Sequence, residues 1–359
     1  MGVTRAERQR PAIAVAGFME TRGMGAAKAE DVNDGDCSPG ASVLLPADRE
    51  FDLGETFRLD SGEALNDRRL RVRLTGPEGA PVIVVSGGIS AGRKVADAED
   101  GPGWWRDIVN KGGAVDISRY RILGFDFLPG DEKEALTITP DDQARALAHA
   151  LDALDIETIH GFVGASYGGF VGLAFAARYP KRIVRLSIVS AAARPDPMAT
   201  ALRGIQRRII LLGWKSGKPG EGVALARELA MTTYRSADEF RGRFSSAPLG
   251  PHAGDPYDVC GYLISRGEAY ARAMSAPRYL TLSDSLDRAN IDLSKVVADC
   301  LFIASKTDRL VPAADTEAAS RGVKGRSSYL AIESLVGHDA FLCDAGEFSG
   351  QLKEFIERG

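Results

Sequence analysis

The sequence predicts an α/β fold: a mostly parallel sheet flanked by helices, with a helical insertion late in the chain. Three observations carry this. Short apolar runs ending in small residues alternate with helix-spaced segments over residues 49–193 and again over 293–359. Such alternation marks strand–helix–strand units, whose strands pair in parallel. From 194 to 292 the alternation lapses into mostly polar, helical sequence. A chain of 359 residues is long enough for one large core carrying such an insertion.

The elements follow in order. Residues 1–48 are rich in Gly, Ala, Asp and Glu, with little periodicity, and are expected to form a poorly ordered leader. Arg5, Arg8 and Arg10 precede "AIAVAGFM", a loose imitation of a signal peptide. That run is short and is followed by charged "ETRG", so secretion is not expected. "RRLRVRLTG" alternates charged and apolar residues, as a half-buried edge strand does. "PVIVVSGG" and "YRILGFDF" are continuous apolar runs, suited to strands buried on both faces. "TPDDQARALAHALDALDI" opens on a helix-start signal and puts Leu147, Ala150, Leu151 and Leu154 on one side. "TIHGFVGAS" returns to strand, "YGGFVGLAFAARYP" is a helix stopped by Pro180, and "IVRLSIVSAA" is another buried strand. In the insertion, "GWKSGKPGEG" and "SSAPLGPHAGDP" read as loops. "DCLFIAS", "AADTEAASRGV", "SSYLAIES" and "EFSGQLKEFIER" then resume the alternation.

Composition narrows the function. The formal net charge of -4 offers no basic field for nucleic acid. Cys37, Cys260, Cys300 and Cys343 are scattered without a CxxC pair, which argues against a disulfide framework or zinc site and for a reducing compartment. No apolar run approaches the roughly 20 residues that span a bilayer. There is no dense set of metal ligands and no prosthetic group is implied. A cytoplasmic location is expected.

The motif that carries chemistry is Gly164-Ala165-Ser166-Tyr167-Gly168, set between a strand and a helix. A serine nucleophile needs a base, an acid to orient that base, and donors for an oxyanion. Of the four histidines, His149 sits mid-helix, His160 begins the strand before the serine, and His252 lies in an insertion loop. His338, in "VGHDAF" after a late strand, has the order and setting of the base. Asp308, in "SKTDRLVP" beyond the strand Cys300 to Ala304, is the candidate acid. Ser166, Asp308 and His338 all fall just past strands, on one edge of the sheet, where ligands bind. Ser, acid, His is also the α/β-hydrolase chain order. The oxyanion donors would be the backbone N–H of Tyr167 and that of Ile89 in "VVSGGISAG". These residues predict acyl transfer to water or to an alcohol, so an esterase or thioesterase stays open. A binding protein on such a scaffold would have no reason to keep all three members.

"GASYGG", "SKTDRLVP", "GHDAFL" and "GPGWW", with the helix "GVALARELAMTTYRSADEFRGRF", together resemble the homoserine O-acyltransferases of the methionine pathway. The resemblance runs from Phe51 to Arg358. It implies an α/β-hydrolase core with residues 194–292 as a helical lid, and a homodimer through that lid. It implies Ser166 as nucleophile, Asp308 and His338 as its partners, and Arg227, Tyr234 and Asp339 as substrate-binding residues. The substrates implied are acyl-CoA and L-homoserine, with L-serine as an alternative acceptor. Arg227 and Tyr234, seven apart, share a helix face, and an amino acid needs a cation for its carboxylate and an anion for its ammonium. The bland reading of Arg227 is a salt bridge to Glu221 or Glu228. Some features depart from much of the family: Tyr167 where Met is usual, a short stretch after the fourth strand, and "GGISAGR", like a succinyl-transferring branch. Succinyl is therefore favoured over acetyl, and Arg93, Arg207 and Arg208 are candidates for its distal carboxylate.

Overall fold

The computed structural model describes residues 46–358. Strand β1, Ala47–Asp52, is followed by β2, Arg69–Thr75, β3, Val82–Ser86, and a small parallel pair, β4, Val109–Asn110, with β5, Val115–Asp116. Then come β6, Arg121–Phe125, α1, Pro140–Ala153, β7, Ile159–Ala165, α2, Tyr167–Arg178, and β8, Ile183–Val189. Five helices intervene before the sheet resumes: α3, Pro197–Lys215; α4, Pro219–Tyr234; α5, Ala237–Arg243; α6, Asp258–Ala273; and α7, Ala276–Asp287. The chain closes with β9, Asp299–Ser305, α8, Ala313–Gly322, β10, Ser327–Ile332, α9, Ala340–Cys343, and α10, Ser349–Glu357.

Eight strands form one sheet in the order β1-β2-β6-β3-β7-β8-β9-β10. β2 is antiparallel to both neighbours, and all other pairings are parallel. The parallel strands read as continuous apolar runs because both faces are covered. On β3, Val82 and Val84 pack into one core with Leu147 of α1 and Phe170 of α2. Ile83 and Val85 pack into the other with Trp105, Phe341 and Phe355 of α10. β9 splits the same way, with Phe302 on the first face and Leu301 and Ile303 on the second. Each such side chain contributes about 1.5–3 kcal/mol of burial.

Two expectations need correction at this edge. β2 is not the edge strand: β1 covers it, and the first residues of β1 fall inside the expected leader of 1–48. The rest of that leader, with the signal-like "AIAVAGFM" and Cys37, lies outside the described residues. Apolar periodicity misses β1 because acid–base pairs set its register. Asp48, Glu50 and Asp52 lie opposite Arg73, Arg71 and Arg69, and Arg73 Nη2 reaches Asp48 Oδ2 at 2.7 Å. The carboxylates of this ladder are exposed, which limits such pairs to about 1 kcal/mol each, so they choose the register more than they hold the fold.

α1 starts where its sequence signal stands. Thr139 caps it in a reciprocal box with Asp142, and Pro140 opens the first turn. "GWKSGKPGEG" is mostly not a loop: α3 runs on to Lys215 and α4 starts at Pro219. Gly213 and Gly222 face each other there, and a Cβ on Gly213 would meet Gly222 Cα at 2.8 Å. The glycines let two helices approach closely, which sequence alone mimics with a turn.

Candidate active site

β7 delivers Ser166 to the head of α2 at φ 52°, ψ −122°. Positive φ is strained for a residue with a side chain, and the flanking glycines show why the chain tolerates it here. A Cβ on Gly164 would strike the backbone of Gly168, and one on Gly168 would strike the Ser86 carbonyl. The turn is therefore pressed against the end of β3, and the Gly168 N–H donates to Gly87 O at 2.7 Å. The serine hydroxyl is left facing a cavity at the C-terminal sheet edge.

The structure brings Ser166, His338 and Asp308 into one hydrogen-bonded line. His338 Nε2 lies 2.8 Å from Ser166 Oγ, and Nδ1 lies 2.7 Å from Asp308 Oδ2. Asp308 is buried, and its Oδ1 accepts from the Leu310 and Val311 N–H groups at 2.8 and 3.0 Å. That aims Oδ2 at the imidazole. Burial of His338 disfavours the imidazolium, but the adjacent Asp308 carboxylate, aided by Asp339, outweighs it and raises the pKa above the ordinary 6.5. A base must be neutral at Nε2 to take a proton from serine. The acid limb of kcat/KM is therefore expected above pH 6.5, as a pH–rate profile would read directly.

The other histidines stand elsewhere. His149 Nε2 contacts Asp52 O, His160 stacks on Tyr120, and His252 is in the exposed 245–256 loop. Tyr167 is at the first position of α2, whose N–H has no intrahelical acceptor. Ile89 lines the cavity beside Ser166, and neither amide has a backbone acceptor among the described residues. Gly87 admits this loop against Trp104, whose ring a Cβ there would meet at 2.6 Å.

The cavity has a volume of about 240 Å³. Arg227, Tyr234 and Asp339 all line it with His338. The Arg227 guanidinium lies over the rings of Tyr234 and Tyr270, at 4.9 and 4.5 Å from their centroids. The alternative salt bridges are not formed. Glu221 pairs with Lys218, and burial beside Glu268 pushes the Glu228 carboxyl up, with no cation to lower it.

Arg93, Arg207 and Arg208 do not line the cavity. Arg93 pairs with Asp48 and Asp126, Arg207 pairs with Asp287, and Arg208 is exposed. The second cavity cation is Arg203 of α3, accompanied by Gln206 one turn on. Asp287 of α7 accepts from Arg203 Nε at 2.8 Å and from Arg207 Nη1 at 2.6 Å. Two guanidiniums share one carboxylate in a largely buried cluster, which carries a net positive charge beside the cavity. Sequence spacing puts Arg203, Gln206 and Arg207 on one helix face, but not that face toward the cavity.

Among the described residues, no group of His, Cys, Asp or Glu is arranged to hold a metal ion, and no helix is long and apolar enough to cross a membrane.

Comparison with known proteins identifies the fold and the family. A family model described as "alpha/beta hydrolase fold" matches residues 80–342. The chain is 42% identical over 276 residues to a homoserine O-succinyltransferase of Xanthomonas campestris pv. campestris, covering 76% of this chain and 75% of that protein. It is 28% identical to a serine O-succinyltransferase of Frateuria aurantia, covering 87% of this chain and 99% of that one. The crystal structure of a homoserine O-acetyltransferase from Bacillus anthracis superposes with a TM-score of 0.79 at 20% identity, over 88% of this chain and 98% of that one.

Proposed function

This chain belongs to the homoserine O-acyltransferases of the alpha/beta hydrolase fold family, and from that premise we propose that it moves a succinyl group from coenzyme A to the hydroxyl of L-homoserine. One observation supports the reading most. The cavity that holds the serine–histidine–aspartate line also holds two cations, Arg227 and Arg203, and one carboxylate, Asp339. An amino-acid acceptor needs one cation and one anion, and a dicarboxylic acyl group needs a second cation.

The reaction has two steps through a covalent intermediate. Ser166 Oγ gives its proton to His338 Nε2 and attacks the thioester carbonyl. The negative oxygen is met by the N–H groups of Ile89 and Tyr167. The C–S bond breaks, and the leaving thiolate takes the proton from His338. The substrate hydroxyl then loses its proton to His338 and attacks the Ser166 ester. Ser166 leaves with that proton, and the enzyme is restored. Arg227 and Tyr234 hold the substrate carboxylate, Asp339 its ammonium. The helices of residues 194–292 act as the lid that keeps water from the ester. No cofactor beyond the acyl carrier is needed, and the cytoplasm supplies both substrates. Met198, Ile205 and Leu212 recur along α3 as an exposed apolar stripe, which supports a homodimer through the lid. Light scattering should give twice the mass of the chain, and the chain mass alone would refute it.

The test is free-thiol release with succinyl-CoA or acetyl-CoA, with and without L-homoserine, and with L-serine as the other acceptor. Release that depends on homoserine and prefers succinyl-CoA is expected. Release indifferent to any amino acid would make the protein a thioesterase. Arg203→Leu should lower kcat/KM for succinyl-CoA about 10- to 100-fold, the range for one hydrogen bond to a charged group, and leave acetyl-CoA nearly unchanged. An equal loss with both donors would mean Arg203 does not read the acyl group.

A further inference from the structure

The junction of α4 and α5 is fastened to the turn that carries His338 and Asp339. Ser236 Oγ donates to Leu335 O. Gly337 has φ 77°, and a Cβ on it would meet Tyr234 O at 2.8 Å and Ser236 N at 3.1 Å. Between them stands Arg235, the C-cap of α4. Its Nε donates to Asp339 Oδ2 at 2.9 Å, and its Nη1 reaches Glu239 Oε1 at 3.4 Å. All three side chains are largely buried, with 17%, 14% and 12% exposed for Arg235, Asp339 and Glu239. Arg243 closes the cluster on the outer side, with Nη1 2.6 Å from the same Glu239 oxygen.

The bond from Arg235 takes only one oxygen of Asp339. Oδ1 has no hydrogen-bond partner among the described residues, while Asp339 as a whole lines the cavity. A carboxylate held by one oxygen cannot swing away, and its free oxygen keeps a fixed place for a cationic group. The arginine is suited to this because its planar fork grips carboxylates on two elements, Asp339 after β10 and Glu239 on α5. Lysine, a point charge on a flexible stem, would grip one at a time.

We propose that Arg235 is a positioning residue for the acceptor step: through Asp339 Oδ2 it fixes the carboxylate whose free oxygen receives the substrate ammonium. This rests on the reading of Asp339 as the ammonium site. Arg235 does not line the cavity, and its side-chain bonds go to Asp339 and Glu239. Its effect is therefore confined to the second half-reaction. The first, acylation of Ser166 by the thioester, has no ammonium for Asp339 to bind, and the charge that Asp339 places near His338 stays in an Arg235 variant.

The two half-reactions can be read apart on the full-length enzyme. Arg235→Gln should raise the KM for L-homoserine about tenfold, the scale of removing one charge-assisted hydrogen bond from a binding site. The burst of thiol released by succinyl-CoA without acceptor should stay within about twofold of wild type, because that step lacks the amino acid. Arg235→Lys should fall between, and it keeps the charge should the Gln variant fold poorly. In an Asp339→Asn background, Arg235→Gln should add little further, since the group it positions is gone. An unchanged homoserine KM in Arg235→Gln, or a burst that falls in step with turnover, would overturn the proposal. So would a full additive loss in the double variant. Wild-type enzyme that acylates but ignores every amino acid would strike the transfer reading itself, and this inference with it. Wild-type transfer with an indifferent Arg235 would strike this inference alone.

Discussion

Ser166→Ala is expected to abolish acyl transfer, with kcat falling by about 10⁶-fold and the fold intact. That magnitude is the order seen when the nucleophile is removed from a serine–histidine–acid site. The reasoning starts at the turn. Ser166 is half-buried, and its hydroxyl has one protein partner, His338 Nε2 at 2.8 Å. Alanine keeps the Cβ at the same positive φ, so the strain of the turn is unchanged; His338 Nε2 loses its one protein partner but lines the cavity, and Nδ1 keeps its bond to Asp308. Thermal unfolding should shift by a degree or two at most, on the scale of a substitution worth about 0.5 kcal/mol. The chemistry has no substitute. The cavity's other hydroxyls, Ser90, Thr233, Ser283, Tyr234 and Tyr279, make no hydrogen bond to His338 Nε2. The check is twofold: thiol release under saturating donor, and intact mass after mixing with succinyl-CoA. Wild type should gain one acyl group on Ser166, and the variant none. A variant that still releases thiol at a tenth of the wild-type rate would remove Ser166 from the mechanism.

What the sequence exposes and hides at this site follows from how local each signal is. The nucleophile turn is legible because its geometry is settled within five residues: Gly164 and Gly168 are small where backbones touch, and the strand and helix beside them are continuous in sequence. Asp308 and His338 are legible because parallel strands end on one edge, so a residue just past β9 or β10 is already near Ser166. The apolar strands β3, β6, β7, β8 and β9 are legible from burial on both faces. β1 is not, because its pattern is a ladder of acids that means little until Arg69, Arg71 and Arg73 are opposite. Arg203 and Arg235 are hidden for a related reason. Each is a charged residue on or at the end of a lid helix, and its meaning comes from Asp287 or Asp339, more than 80 residues away in sequence. Helical periodicity reports which residues share a face, never what that face meets.

Asp308→Asn tests the other end of the catalytic line and should lower kcat by about 10⁴-fold, the size associated with holding the imidazole in the wrong tautomer. The carboxylate does two things that an amide cannot do together. Its Oδ1 accepts from two backbone N–H groups, at 2.8 and 3.0 Å, which an asparagine oxygen can also do. Its Oδ2 accepts from His338 Nδ1 at 2.7 Å, and there the asparagine would present an NH₂. Two donors cannot share that short bond. The ring would answer by putting its proton on Nε2, and Nε2–H cannot take a proton from Ser166. The fold should survive, because the side chain keeps its shape and its backbone bonds. The pH profile adds an independent signature with a fixed sign. In the wild type, burial lowers the His338 pKa but Asp308 more than offsets it, so the net shift is upward. Without the carboxylate the largest single influence, burial, is opposed only by the weaker pull of Asp339. The residual activity of Asp308→Asn should therefore keep its neutral imidazole to lower pH, and its acid limb should move below that of the wild type. Loss of activity with an unmoved acid limb would mean that Asp308 orients the histidine without setting its charge.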